Sequence, residues 1–110
     1  MMFSWLRGLL FSNKPDTQTL LEEGAIIVDV RTTGEYNSGH GEQSRHIPLA
    51  SLSSKIAALK KQRTTIVTCC ASGMRSGKAA KMLTRAGIPA HNGGPWQRVE
   101  QARQRAESRD

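Results

Sequence analysis

Thr65-Ile66-Val67-Thr68-Cys69-Cys70-Ala71-Ser72-Gly73-Met74-Arg75-Ser76-Gly77 places an apolar, β-branched run, a thiol and a loop of small residues in succession. A continuous apolar run without alternation is the pattern of a strand buried on both faces, as in parallel sheets. Directly after the loop, Gly77 to Ala86 sets Ala79, Met82, Leu83 and Ala86 on one helical stripe, and Gly87 supplies the stop. Strand, tight loop and helix in this order form half of a βαβ unit, so the rest of the chain is expected to supply parallel partners.

Upstream, Ile26-Ile27-Val28-Asp29-Val30 repeats the buried-strand pattern. It is preceded by a short helix over Thr17-Gln18-Thr19-Leu20-Leu21-Glu22-Glu23, which Asp16 caps and Gly24 ends. Thr32-Thr33-Gly34-Glu35 has capping-box spacing and opens a brief helical turn before Ser38-Gly39-His40-Gly41. Ile47-Pro48-Leu49 is a short extended piece at most, because Pro48 donates no ladder hydrogen bond. A helix beginning at Ser51 or Ser53 carries Leu52, Ile56 and Leu59 on one face, with Lys60 and Lys61 near its C-terminal end. Downstream, Ile88-Pro89-Ala90-His91 is expected to be a third strand, Asn92-Gly93-Gly94-Pro95 a turn, and Trp96 to about Glu107 the last helix. The fold class is therefore α/β: one three-layer domain over residues 16–110 with a small, mostly parallel sheet, preceded by an apolar segment over residues 1–15.

The loop has a chemical use. Backbone N–H groups curling around Cys70 form an anion-binding nest, and the following helix adds the positive end of its dipole. Both favour thiolate over thiol and make the sulfur nucleophilic. Gly73 permits the tight curl. Arg75 is suited either to donating to loop carbonyls or to holding an anionic substrate.

At this point the sequence resembles the rhodanese family of sulfurtransferases. The likeness runs from about Ile26 to Trp96 through several separated motifs: Val28-Asp29-Val30-Arg31 with Glu35-Tyr36, Ser38-Gly39-His40, Ile47-Pro48-Leu49, the Cys70 to Ser76 loop, and Asn92-Gly93-Gly94 before Trp96. It implies a five-stranded sheet flanked by helices. It also implies that Cys70 takes up sulfur as a persulfide, with Ala71, Ser72, Gly73, Met74, Arg75 and Ser76 binding the substrate. A small anionic sulfur donor such as thiosulfate and a cyanide or thiol acceptor follow from the same likeness, with no cofactor. Phosphatase-like and arsenate-reducing relatives use a loop one residue longer. Cys70 and Arg75 have four residues between them and Cys69 and Arg75 have five, which leaves a phosphatase or arsenate reductase acting through Cys69 as an alternative. A persulfide carrier or interaction module is another. After His40 the family usually continues Ile-Pro-Gly-Ala, whereas this chain reads Gly41-Glu42-Gln43-Ser44; the basic residue common after the cysteine is here Ala71.

Other residues read as structural. Arg31 is expected to pair with Glu35 or cap local carbonyls, Asp29 to fix the loops at the strand end, His40 to orient backbone and Trp96 to anchor packing. His46 and His91 stand at no metal-ligand spacing, and no metal site is expected. Adjacent cysteines make neither a disulfide framework nor a zinc site.

The 110 residues carry a net charge of +7, unevenly placed: residues 1–55 sum to −1 and residues 56–110 to +8. With Trp96 as the only aromatic residue in the basic half, a nucleic-acid surface is not expected. A field that draws small anions to Cys70 is the preferred meaning of the charge. Phe3, Trp5, Leu6, Leu9, Leu10 and Phe11 are interrupted by Arg7 and followed by no small-residue cleavage site, a poor fit to a secretory signal. Two uses of that stretch remain: a short amphipathic helix packed on the domain or on a partner, and a peripheral membrane anchor, so that weak docking to a membrane or a protein would run through residues 3–11. A cytoplasmic location is expected, with periplasmic or membrane-peripheral placement as alternatives.

Overall fold

Four parallel strands in the order β2-β1-β3-β4 form the middle layer of the computed structural model, which describes residues 15–108. In chain order the elements are α1 (Thr17–Glu22), β1 (Ile26–Asp29), α2 (Thr33–Asn37), β2 (Ser44–His46), a 3-10 turn (Leu49–Ser51), α3 (Leu52–Lys61), β3 (Ile66–Cys70), α4 (Met74–Arg85), β4 (Ala90–Pro95) and α5 (Trp96–Ser108). The apolar segment considered for docking, residues 3–11, lies outside the described residues.

Local chemistry sets the helix ends. The Asp16 carboxylate accepts from the Thr19 N–H at 2.8 Å, capping α1. Thr32 and Glu35 close the expected capping box on α2: the Glu35 N–H donates to Thr32 Oγ1 and the Thr32 N–H donates to Glu35 Oε1. β3 is buried along its whole length, as its unbroken apolar pattern requires. On one sheet face Leu52 and Leu59 of α3 and Ala79 and Leu83 of α4 pack on Val28, Val30, Ile66 and Cys70. On the other, Val99 of α5, with Leu20 and Leu21 of α1, packs on Ile27, Val67 and Cys69. Burying a side chain such as Leu52 or Leu83 contributes about 1.5–3 kcal/mol, so these two layers hold the sheet between them.

Three expectations are corrected. The described residues contain four strands, not five. Asn92-Gly93-Gly94-Pro95 is not a turn but the second half of β4, beside β3 across a local irregularity between Thr68 and Cys70. Its glycines pack rather than bend: a Cβ on Gly93 would lie 2.5 Å from Val99 Cγ2, 2.8 Å from Val67 Cγ1 and 2.9 Å from the Thr68 carbonyl oxygen. The fourth strand comes from Ser44-Arg45-His46, where the sequence is polar; as an edge strand it takes its hydrogen bonds from β1 alone. The Ile47 and Leu49 N–H groups donate to the Asp29 and Val30 carbonyls at 3.0 Å each, so the extended reading holds as far as Pro48, while Leu49 already opens the 3-10 turn. Helix α4 starts at Met74, one turn before the expected Gly77.

Candidate active site

Side chains alternate across a strand, so adjacent cysteines at the end of β3 point into different layers. Cys70 belongs to the α3–α4 side and Cys69 to the α1–α5 side. Both thiols are free and buried, but their surroundings differ.

Around Cys70 the chain turns at Gly73, whose φ of +103° suits glycine and makes it the N-cap of the twelve-residue helix α4. That turn brings donors to the sulfur. The Gly73 N–H donates to Cys70 Sγ at 3.0 Å and the Ser76 N–H at 3.4 Å, while the Ser76 hydroxyl lies 3.3 Å away. Burial opposes a charge on this sulfur, yet the Ser76 hydroxyl and the N–H groups of Ser76, Gly73 and Ser72 outweigh it and hold the Cys70 thiol below its ordinary pKa. At Cys69 burial comes first as well, and the nearby Arg31 guanidinium offsets only part of it. The neighbouring Asp29 carboxylate, paired in register with Cys69, adds to the push, and this thiol stays protonated.

The residues named from the sequence divide accordingly. Cys70, Ser72, Gly73 and Ser76 come together as the cradle. Met74 opens α4 as an 84% exposed residue, and Ala71 is exposed at the loop surface. Arg75 does not cap the loop carbonyls: its Nη1 and Nη2 donate to Glu35 Oε1 and Oε2 at 2.7 and 2.9 Å. That pair, led by the Arg75 hydrogen bonds, draws the Glu35 carboxyl down to about 2. Arg31 forms no ion pair with the Glu35 carboxylate and instead caps local carbonyls, the other expectation for it. It grips the buried Asp29 carboxylate through Nε and Nη2 and donates to the Glu35 and Gly39 carbonyls, over the Trp96 ring at 4.9 Å. His40 stacks on Tyr36 and bonds the Tyr36 carbonyl, an orienting role as expected.

Sequence reasoning missed Asn92 as part of the site. Its Oδ1 accepts from the Ser76 hydroxyl at 2.7 Å and from the Gly94 N–H at 3.0 Å, and its Nδ2 donates to the Gly73 carbonyl at 3.0 Å. It clamps both ends of the Cys70 cradle from the neighbouring strand. The available signal was an asparagine directly before a glycine pair, which suits a turn equally well.

Motif order, the thiol at the strand end and the parallel sheet all agree with one family, and the sequence matches the family described as rhodanese-like domain over residues 13–94. The chain belongs to this family. Within it, the sequence is 41% identical over 65 residues to the thiosulfate sulfurtransferase GlpE of Stutzerimonas stutzeri (strain A1501), a match covering 59% of each chain, so less than two thirds of that relative's length is spanned. Among solved structures, the rhodanese-like domain protein of Staphylococcus aureus superposes with a TM-score of 0.62 at 27% identity, over 86% of this chain and 83% of that one. A rhodanese from E. coli, solved with anions, gives a TM-score of 0.62 at 27% identity, over 68% and 91% of the two chains. The rhodanese-like α/β sheet flanked by helices is thus common to this chain and the two solved structures. No helix among the described residues is long and apolar enough to cross a membrane.

Proposed function

We propose that the protein is a sulfurtransferase that moves a sulfane sulfur from thiosulfate or a related small anion to cyanide or a thiol, carrying it on Cys70. The observation that supports this most is the cradle itself: Cys70 Sγ stands before the N-terminus of α4 with two N–H groups and a hydroxyl within 3.4 Å. The sulfurtransferase name of the Stutzerimonas relative and the anions in the E. coli rhodanese structure point the same way.

The chemistry balances in two displacements. The Cys70 thiolate attacks the outer sulfur of thiosulfate, a new S–S bond forms, the original S–S bond breaks, and sulfite leaves with the electron pair. The persulfide anion remaining on Cys70 sits where Gly73 and Ser76 donate, an oxyanion-hole logic applied to sulfur. Cyanide or a thiolate then attacks the outer persulfide sulfur, and Cys70 thiolate is the leaving group. Cys70 is the nucleophile, Ser72, Gly73 and Ser76 supply the donors, and Ala71, Met74 and Arg75 complete the loop that meets the substrate. Cys70 is enclosed by this loop, so a small donor or the tip of an extended one fits it. A reducing cytoplasm is the compartment that keeps such a thiol free between turnovers.

Intact mass after thiosulfate treatment tests the proposal. The parent and Cys69→Ser should gain about 32 Da, one sulfur, and Cys70→Ser should gain nothing and lose transfer to cyanide by about a thousandfold or more. A mass gain that survives Cys70→Ser and disappears in Cys69→Ser would reverse the assignment and revive the reading in which Cys69 acts.

A further inference from the structure

A dianionic donor approaching Cys70 needs a cation, and the loop's own cation is engaged. Both terminal nitrogens of Arg75 are bound to the two oxygens of Glu35. Such a bidentate pair offers little net charge to a third ion. The amides of the cradle favour an anion, but Gly73 and Ser76 already direct theirs at the Cys70 sulfur, so the charge on the body of the donor needs a further partner.

Another guanidinium stands beside the loop. Arg98 lies in the first turn of α5, next to the Gly94 backbone: a Cβ on Gly94 would be 3.6 Å from Arg98 Nη1. Gly94 in turn abuts the cradle, since a Cβ on Gly73 would be 3.3 Å from Gly94 Cα. Gly73 donates to Cys70 Sγ at 3.0 Å, so sulfur, Gly73, Gly94 and the Arg98 head are successive neighbours. Gly94 holds φ at +85°, a backbone favouring glycine, and leaves no side chain between that head and the loop. Arg98 is exposed, and no carboxylate among the described residues forms an ion pair with it. Four of the five ion pairs involve Arg31 or Arg103 and the fifth Arg75, so in the rim formed by β4 and the start of α5 the charge of Arg98 is left uncompensated.

We infer that Arg98 is the binding residue that selects anionic sulfur donors at the Cys70 site, while Arg75 serves to hold the loop against Glu35. The inference rests on the reading of Cys70 as the sulfur-accepting thiolate. Its selectivity, however, has a readout that involves no sulfur transfer. Iodoacetate and iodoacetamide both alkylate a thiolate with loss of iodide, and they differ in that the first carries a negative charge.

The ratio of their rates at Cys70, followed by intact mass, should fall about fivefold in Arg98→Gln, the size expected for losing one unit charge several ångströms away in a partly screened site. Arg98→Lys should keep most of the parent's ratio, and Lys78→Gln, which removes an exposed charge from α4, should change it by less than about half as much. In steady-state sulfur transfer, Arg98→Gln should raise the KM for thiosulfate about tenfold with kcat within about twofold, the split of a group that binds donor without joining the chemistry. An alkylation ratio unmoved by Arg98→Gln, or moved equally by Lys78→Gln, would overturn the inference. A parent that prefers iodoacetate through Arg98 yet never gains sulfur from thiosulfate would instead overturn the sulfurtransferase reading and leave anion selection by Arg98 standing.

Discussion

Cys69 and Cys70 are one residue apart in sequence and belong to two different chemical environments. The sulfur of Cys70 faces a loop that turns N–H groups toward it; that of Cys69 faces the opposite layer, where Asp29 is its strand neighbour. Both lie in the buried strand β3, so burial alone cannot make a thiol reactive. The difference lies in what replaces water. Where amides and a hydroxyl substitute for solvent the thiolate is favoured, and where burial brings no such donors and a carboxylate stands nearby it is suppressed. Strand alternation thus separates a reactive position from an inert one without any change of residue type.

The largest expected effect comes from breaking the Cys69 side. Arg31 is buried with Asp29, and Asp29→Asn leaves that guanidinium without its charge partner; loss of one member of a buried pair costs about 3–5 kcal/mol. Denaturant unfolding should show it, and Cys69 should become easier to alkylate at high pH because the suppressing carboxylate is gone. A stability change under about 1 kcal/mol would mean the pair contributes far less than its burial implies. Next in size is the Cys70 side. Ser76→Ala removes the hydroxyl donor and should move the alkylation midpoint of Cys70 upward, toward the ordinary cysteine range. An unshifted midpoint would leave the backbone amides as the sole cause. Smallest is the Glu35–Arg75 pair, which is about a third exposed and screened. Glu35 titrates lower folded than unfolded, so its contribution is complete above about pH 4.3 and fades as pH falls toward 2. Glu35→Gln should therefore melt slightly below the parent at pH 6, and the two should converge near pH 2; a gap that widens in acid would contradict the assignment.

What the sequence revealed and concealed follows from the range of the interactions. The Asp16 cap, the Thr32–Glu35 box and the Leu52 and Leu59 face are set within a few residues, and all three were legible. So was the cradle, because Gly73 and Ser76 act within six residues of Cys70. Ser44-Arg45-His46 gave no strand signal, since an edge strand needs only backbone and a neighbour, and its neighbour is β1, which ends at Asp29, far back in the chain. Asn92 to Pro95 carried turn residues whose small size serves packing against Val67 and Val99. The pairing of Arg75 with Glu35 spans forty residues and depends on α2 meeting the start of α4, so a nearer partner, Arg31, was the natural choice for Glu35 from sequence.

One consequence follows from the number of hydrogens on Ser76. Its hydroxyl lies 3.3 Å from Cys70 Sγ and 2.7 Å from Asn92 Oδ1, and it has a single proton to give. While the sulfur is a thiol, that proton belongs to Asn92 and the hydroxyl oxygen is free to receive the S–H. Once the sulfur carries negative charge, the better acceptor is on the other side, and the hydroxyl rotates. Two protons are involved: the S–H proton leaves Cys70, the Ser76 O–H turns to the sulfur it leaves behind, and Asn92 Oδ1 keeps the Gly94 N–H as its remaining donor.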